Sequence, residues 1–169
     1  YDRHPKVLAL ERQLSHVAQQ RGTAIVFFAD KKTAIYCKEY LLARGISVET
    51  IFGGRNKKVS DQRAAIDKLR GGSVNALLAT SVLHEGVSVP EVDLVINYAV
   101  PNNSRMRLQV AGRTARIHTG YVSHLIMDHD LDRLLFFTVS QKTQKMAELA
   151  TAELRPIHER RGQLSLFVS

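Results

Sequence analysis

The sequence predicts an α/β domain with a mostly parallel central sheet covered by helices on both faces. Short apolar runs alternate with amphipathic helical patterns along the chain, which implies crossover connections between parallel strands. Runs such as residues 23–29 (TAIVFFA) lack polar alternation, which is typical of strands buried on both faces. The length of 169 residues, with 44% hydrophobic and 24% charged residues, is ordinary for one globular domain.

The individual elements are predicted from apolar spacing and from start and stop signals. Pro5 suits a first helical turn, Ser60 is predicted to cap a third helix, and Gly45 and the Gly71–Gly72 pair end helices. The predicted helices are 4–20, 31–43, 60–70, 103–115 and 131–149, and the predicted strands are 23–29, 47–52, 74–80, 92–98 and 121–127. Ligands of parallel sheets bind where the strands end, so the candidate loops follow Phe28, Phe52, Thr80 and Tyr98.

The net charge and the single cysteine narrow the class of protein. A formal charge of +8 and a pI of about 9.9 favour an anionic partner, with nucleic acid or nucleotide phosphate ahead of a membrane surface. Cys37 is the only cysteine, so it forms no internal disulfide, and its helical context predicts a buried, inert thiol. Because no apolar run approaches the roughly 18 residues of a membrane span, an intracellular, cytoplasmic protein is expected.

A cluster of arginines lies in a segment without carboxylates. Residues 94–127 contain no Asp or Glu, and within them Gln109, Arg113 and Arg116 are spaced to share one helix face. Planar guanidinium groups suit bidentate binding of phosphate oxygens, so the spacing indicates phosphate binding. A solvated polar stripe is the alternative.

A second candidate segment follows the predicted strand 74–80. Thr80 and Ser81 place hydroxyls and backbone N–H groups where a helix could begin, which suits phosphate oxygens. Gly86 permits close approach of the backbone to a ligand. A capped short helix with a tight turn is the alternative.

Together these stretches resemble motifs IV, V and VI of superfamily 2 helicases. The resemblance rests on IVFFADKKTA, FGGRNKKVSDQRAAIDKLRGG, LLATSVLHEGVSVPEVDLVINYAVP and QVAGRTARIHTG, and it covers residues 4 to about 148. It implies the second RecA-like domain of such a motor, a three-layer fold. The motif V stretch TSVLHEGVSVPEVDLV is most similar to that of archaeal Hef and Fanconi-anaemia M-type DNA helicases.

The resemblance implies roles for individual residues. Arg113 and Arg116 match the arginines that reach the γ-phosphate of ATP, Arg116 being the usual finger, and Gln109 matches the opening polar residue of the same motif. The nucleotide-side match includes Gly86 and also Ser88, where the family usually has an Asp that contacts the ribose. The residues matched to the nucleic-acid backbone are Thr80, Ser81, Lys31, Gly53 and Arg55, with a solvated loop as the alternative for the last three.

The chain lacks the other half of a helicase motor. It contains no G-x-x-x-x-G-K-[ST] phosphate loop and no Asp-Glu pair after a strand to hold Mg²⁺. The resemblance therefore implies that ATP and Mg²⁺ are held mainly by an N-terminal RecA-like domain and that this chain alone is inactive. The expected function is that of a DNA helicase or translocase acting on branched or forked DNA. The alternatives are an RNA-directed helicase domain and a nucleic-acid-binding module without ATPase activity.

The predicted domain covers residues 1–150, and residues 151–169 are predicted to be a linker or tail because of Pro156 and mixed charge. Gln163, Leu166 and Phe167 resemble the start of a sliding-clamp-binding peptide, although Ser169 replaces its final aromatic residue. An apolar docking strand or a disordered end is the alternative.

Overall fold

The chain folds around a six-stranded sheet in the order β2-β3-β1-β4-β5-β6, and every strand pair is parallel among the residues that the computed structural model describes. Those residues are 4–52, 59–80, 91–99, 121–127 and 163–168. The strands are β1 (Ala24–Phe27), β2 (Val48–Ile51), β3 (Ala76–Ala79), β4 (Leu94–Asn97), β5 (Tyr121–Met127) and β6 (Gln163–Val168). The helices are α1 (Pro5–Gln19), α2 (Lys31–Leu42) and α3 (Val59–Arg70).

The helices cover both faces of the sheet and form two hydrophobic cores. Leu10 and Leu14 of α1 and Leu41 of α2 pack with β-strand residues on one face. Ile66 and Leu69 of α3 pack with strand residues on the other face. The strands alternate sides, as in β1, where Val26 belongs to the first core and Ile25 to the second. The predicted three-layer α/β architecture is confirmed.

Local sequence signals explain where the helices begin and end. Pro5 occupies the first turn of α1, and the side chain of Asp30 caps α2 by accepting the Thr33 N–H at 2.8 Å. Gly45 follows α2 at φ 76°, a left-handed conformation that favours glycine. α3 begins at Val59, so Ser60 lies inside its first turn, and the prediction that Ser60 caps the helix is wrong.

The end of the chain contributes an edge strand, and an apolar docking strand was one of the alternatives for this segment. Residues 163–168 lie within the segment 151–169 that was expected to be a linker or tail, but they form β6 and pair with β5 along its length. The physical reason is that the exposed edge of β5 offers unpaired backbone groups to any extended segment that reaches it. Gln163, Leu166 and Phe167, the residues that resemble a clamp-binding peptide, are part of this strand.

Cys37 is fully buried in α2, as predicted. Burial raises the pKa of the Cys37 thiol to about 12, and Tyr98 is its hydrogen-bond partner.

The predicted helices at 103–115 and 131–149 lie outside the described residues. None of the helices that the structure describes is long and apolar enough to cross a membrane.

Candidate nucleic-acid interface

The carboxyl ends of the central strands meet at one edge of the sheet, here called the carboxyl edge. Just beyond the ends of the strands, the Phe28 N–H donates to the Ala79 carbonyl at 2.8 Å, and the Tyr98 N–H donates to the Phe27 carbonyl at 2.9 Å. These bonds align the ends of β3, β1 and β4. The loops that were predicted to gather ligands therefore start side by side.

Lys31 lies at the carboxyl edge with its side chain exposed. It is the first residue of α2, directly behind the capping Asp30, and the exposed Lys32 follows it. The Asp30 carboxylate accepts the Thr33 N–H and the Thr33 hydroxyl, each at 2.8 Å. These two bonds lower the pKa of Asp30 below its usual value, so the carboxylate is ionised beside the lysines at neutral pH. Lys31 is accessible to a phosphate, although Asp30 reduces the local positive potential.

Thr80 lies at the same edge but is covered. It follows β3 directly, its N–H donates to the Ile51 carbonyl at 3.4 Å, and only 5% of the residue is exposed. A contact between its hydroxyl and a nucleic-acid backbone therefore requires that Thr80 first be uncovered. Lys31 is thus the only one of the matched backbone-contact residues that is both described and exposed.

At the opposite end of the sheet, the amino edge, the Asp93 side chain joins the starts of two strands. The Asp93 carboxylate precedes β4 and accepts the Thr23 N–H at 2.7 Å, ahead of β1. Gly22 packs so closely beside it that an added Cβ would lie 3.1 Å from the Asp93 carboxylate oxygen. This carboxylate therefore fixes the start of β4 against the start of β1, and the exposed Arg21 and Arg70 also lie at this end.

A buried polar pair near the carboxyl edge was not singled out as a site from the sequence. Asn97 ends β4, His124 is its register partner on β5, and their side chains are 3.2 Å apart and almost fully buried. The available signal was a polar residue interrupting each of two apolar runs. Strand register, which single-sequence patterns do not give, brings the two residues together.

The other predicted site residues lie outside the described residues. They are Gly53, Arg55, Ser81, Gly86, Ser88, Gln109, Arg113 and Arg116. In the described part of the chain, no three His, Cys, Asp or Glu side chains are grouped so as to hold a metal ion.

The parallel sheet and the helices on its two faces form three layers, which define the class of protein as a RecA-like α/β domain. The family described as "Helicase conserved C-terminal domain" matches residues 5–118. The chain belongs to this family and is the C-terminal helicase domain of a superfamily 2 helicase.

Individual relatives agree with the family. The ATP-dependent RNA helicase abstrakt of Drosophila melanogaster is 34% identical over 102 residues, which are 60% of this chain and 16% of that protein. The Pyrococcus furiosus Hef helicase domain superposes with a TM-score of 0.67 at 32% identity, covering 80% of this chain and 28% of that one. The C-terminal domain of the DEAD-box protein Dbp5 shares the fold, with a TM-score of 0.69 at 23% identity over 96% of this chain and 83% of that one. The chain spans 16% of the length of abstrakt and 35% of the length of the ATP-dependent rRNA helicase rrp3 of Schizosaccharomyces pombe.

Proposed function

We propose that this chain is the second motor domain of an ATP-dependent superfamily 2 helicase or translocase that acts on branched or forked DNA. The observation that carries the proposal is that Lys31 is exposed at the carboxyl edge of the sheet. The chain that contains this sheet belongs to the family of helicase C-terminal domains. A strand of nucleic acid would bind along this edge, with its phosphates next to Lys31 and the loops after β2 and β3.

In this proposal ATP binds between this domain and an N-terminal RecA-like domain of the same protein. That second domain would supply the phosphate loop and the Mg²⁺ ligands, and Mg²⁺ would neutralise phosphate charge there. Arg113 and Arg116 would contact the γ-phosphate, while Gln109, Gly86 and Ser88 would lie on the nucleotide side. These roles are supported by the resemblance to motifs V and VI and by family membership.

DNA is the first candidate substrate and RNA is the second. In favour of DNA, the Hef domain is 32% identical to this chain and covers 80% of it. The motif V stretch also resembles that of the Hef group. In favour of RNA, both abstrakt and the ATP-dependent rRNA helicase rrp3 of Schizosaccharomyces pombe, which is 27% identical and matches 86% of this chain, are named RNA helicases. A sliding clamp is a further candidate partner through residues 163–167, and it would compete with β5 for that strand.

The experiment that tests the interface is a salt titration of oligonucleotide binding by the chain. Single-stranded and forked DNA and RNA of one sequence are compared by fluorescence anisotropy, and phosphate contacts predict a steep loss of affinity with salt. Lys31→Ala should reduce the slope of log K against log salt by about 0.7 on a single strand. Arg70→Ala removes an equal charge at the end of α3, near the amino edge, and is the matched control. Equal effects of the two variants would place the interface elsewhere.

A further inference from the structure

An open cavity of about 440 Å³ lies at the carboxyl edge on the α1 and α2 face of the sheet. Its walls come from four elements: the start of α1, the first turns of α2, Tyr98 behind β4 and Met127 at the end of β5. The volume falls in the usual range of small-ligand sites, roughly 300–1,000 Å³. Lys32, the neighbour of Lys31 in the proposed interface, also lines it.

Aromatic and thioether side chains form the apolar part of the wall. The Tyr98 ring stacks on Phe28 with centroids 4.8 Å apart and is 8% exposed, so its position is fixed by the core. Tyr36 is partly buried and tilts against Tyr40 with centroids 6.4 Å apart. Met127 adds a polarizable sulfur. Such a surface favours contact with a flat ring, because aromatic faces and edges and thioethers all interact well with one another.

The polar groups of the wall suit a ring with carbonyl or ring-nitrogen acceptors. His4 Nδ1 accepts the Lys6 N–H at 3.3 Å, so the neutral ring carries its proton on Nε2 and can donate it. Lys6 also lines the cavity but is only 8% exposed, and a bare phosphate fits less well, since the Asp30 carboxylate already occupies the Thr33 N–H at the start of α2 and repels anions. The ring of a ligand is therefore the part that this cavity recognises, with the exposed Lys32 left for a phosphate.

We propose that this cavity binds one unpaired nucleobase of the strand that runs past Lys31, with the attached phosphate on Lys32. This inference rests on the proposed function, in that it needs nucleic acid to bind at the carboxyl edge. The cavity would add a contact to a base, whereas the rest of the proposed interface contacts the sugar-phosphate backbone of the nucleic acid. Stacking on aromatic side chains tolerates every base, so the cavity would hold the strand without selecting its sequence.

The test is photocrosslinking of single-stranded oligonucleotides that carry one 5-iodouracil at successive positions. We expect a crosslink to the peptide containing Tyr36 from one register of the strand, and an abasic nucleotide at that position should weaken binding. Tyr36→Leu should weaken binding roughly 10-fold, the scale of one lost stacking contact, and Tyr36→Phe should retain it. Tyr121→Leu is the matched control, because Tyr121 is 60% exposed at the amino end of β5.

The outcomes separate this inference from the proposed function. If Lys31→Ala weakens binding while Tyr36→Leu and the abasic nucleotide do not, the base site is wrong and the backbone interface stands. If no oligonucleotide binds at all, both are wrong. Should Tyr36→Leu fail to fold, as judged by circular dichroism, the crosslink and the abasic nucleotide on the unaltered chain decide the question, and the absence of both effects contradicts the base site.

Discussion

At the scale of single residues, the proposed interface depends on a balance between Asp30 and the two lysines that follow it. The Asp30 carboxylate caps α2 through Thr33, so it stabilises the helix while placing a negative charge where a phosphate is proposed to bind. Asparagine caps helices about as well as aspartate. The charge of Asp30 can therefore be removed without removing the cap.

Asp30→Asn should strengthen oligonucleotide binding about 2- to 5-fold at low salt, because one repulsive charge is lost next to Lys31, and the gain should fade as salt screens the charge. Fluorescence anisotropy at several salt concentrations measures it. Asp67→Asn makes the same change of net charge on the exposed last turns of α3, away from the carboxyl edge, and should have little effect. A weaker complex with Asp30→Asn, or an equal gain in both variants, would argue against this interface.

At the scale of elements, α2 is held by one buried face and exposes the other. Leu41 is fully buried in the first core, whereas its neighbour Leu42 is 47% exposed. Leu41→Ala should lower the free energy of unfolding by about 3 kcal/mol, through lost apolar burial and the cavity that remains. Leu42→Ala should change it by less than about 0.5 kcal/mol. Urea unfolding measures both, and similar losses would mean that α2 packs in another orientation.

Glu49 on the edge strand β2 connects both helical layers. Lys38 of α2 and Lys68 of α3 bind its two carboxylate oxygens, one from each face of the sheet. Burial by itself raises the pKa of Glu49, but the bonds from these lysines and from the Thr50 N–H outweigh it and lower the pKa to about 2. The pKa is lower in the folded state, so this contribution to stability is present above the usual pKa near 4.5 and is lost as pH falls toward about 2.

Glu49→Gln should therefore lower the free energy of unfolding by about 1–2 kcal/mol at pH 7, allowing for the exposure of Lys68. The difference from the unaltered chain should shrink as pH falls below about 4.5, as urea unfolding at several pH values would show. Glu39→Gln is the control, because Glu39 is exposed and makes no ion pair with the described residues. A difference that is constant with pH would exclude the ion pairs as its cause.

Apolar patterns predicted the five strands and three helices of the described core, because a parallel sheet covered on both faces requires continuous apolar runs. They left β6 as one of several alternatives, since Pro156 and mixed charge precede it and its pairing depends on the free edge of β5. They also could not show that Thr80 is covered or that Asn97 meets His124. Burial and register depend on distant parts of the chain.

At the scale of the whole molecule, both edges of the sheet expose basic residues. The carboxyl edge exposes Lys31 and Lys32 beside Asp30, and it is the edge where ligands of parallel sheets bind. The net charge of +8 favours nucleic acid, and the chain belongs to the helicase C-terminal domain family. The chain carries neither a phosphate loop nor an Asp-Glu pair after a strand, so the proposed motor needs a second domain to hold the nucleotide.

The most direct test of this account is the ATPase rate of the protein that contains both motor domains, with Arg116 unaltered or changed. The chain of 169 residues alone should hydrolyse no ATP, with or without nucleic acid. In the two-domain protein, Arg116→Ala should leave oligonucleotide binding largely intact and slow hydrolysis by roughly 10³-fold or more, as loss of an arginine finger does. Arg116→Lys should be nearly as slow, because an ammonium cannot replace the planar guanidinium. Full ATPase activity in the alanine variant, or hydrolysis by the chain alone, would contradict the account.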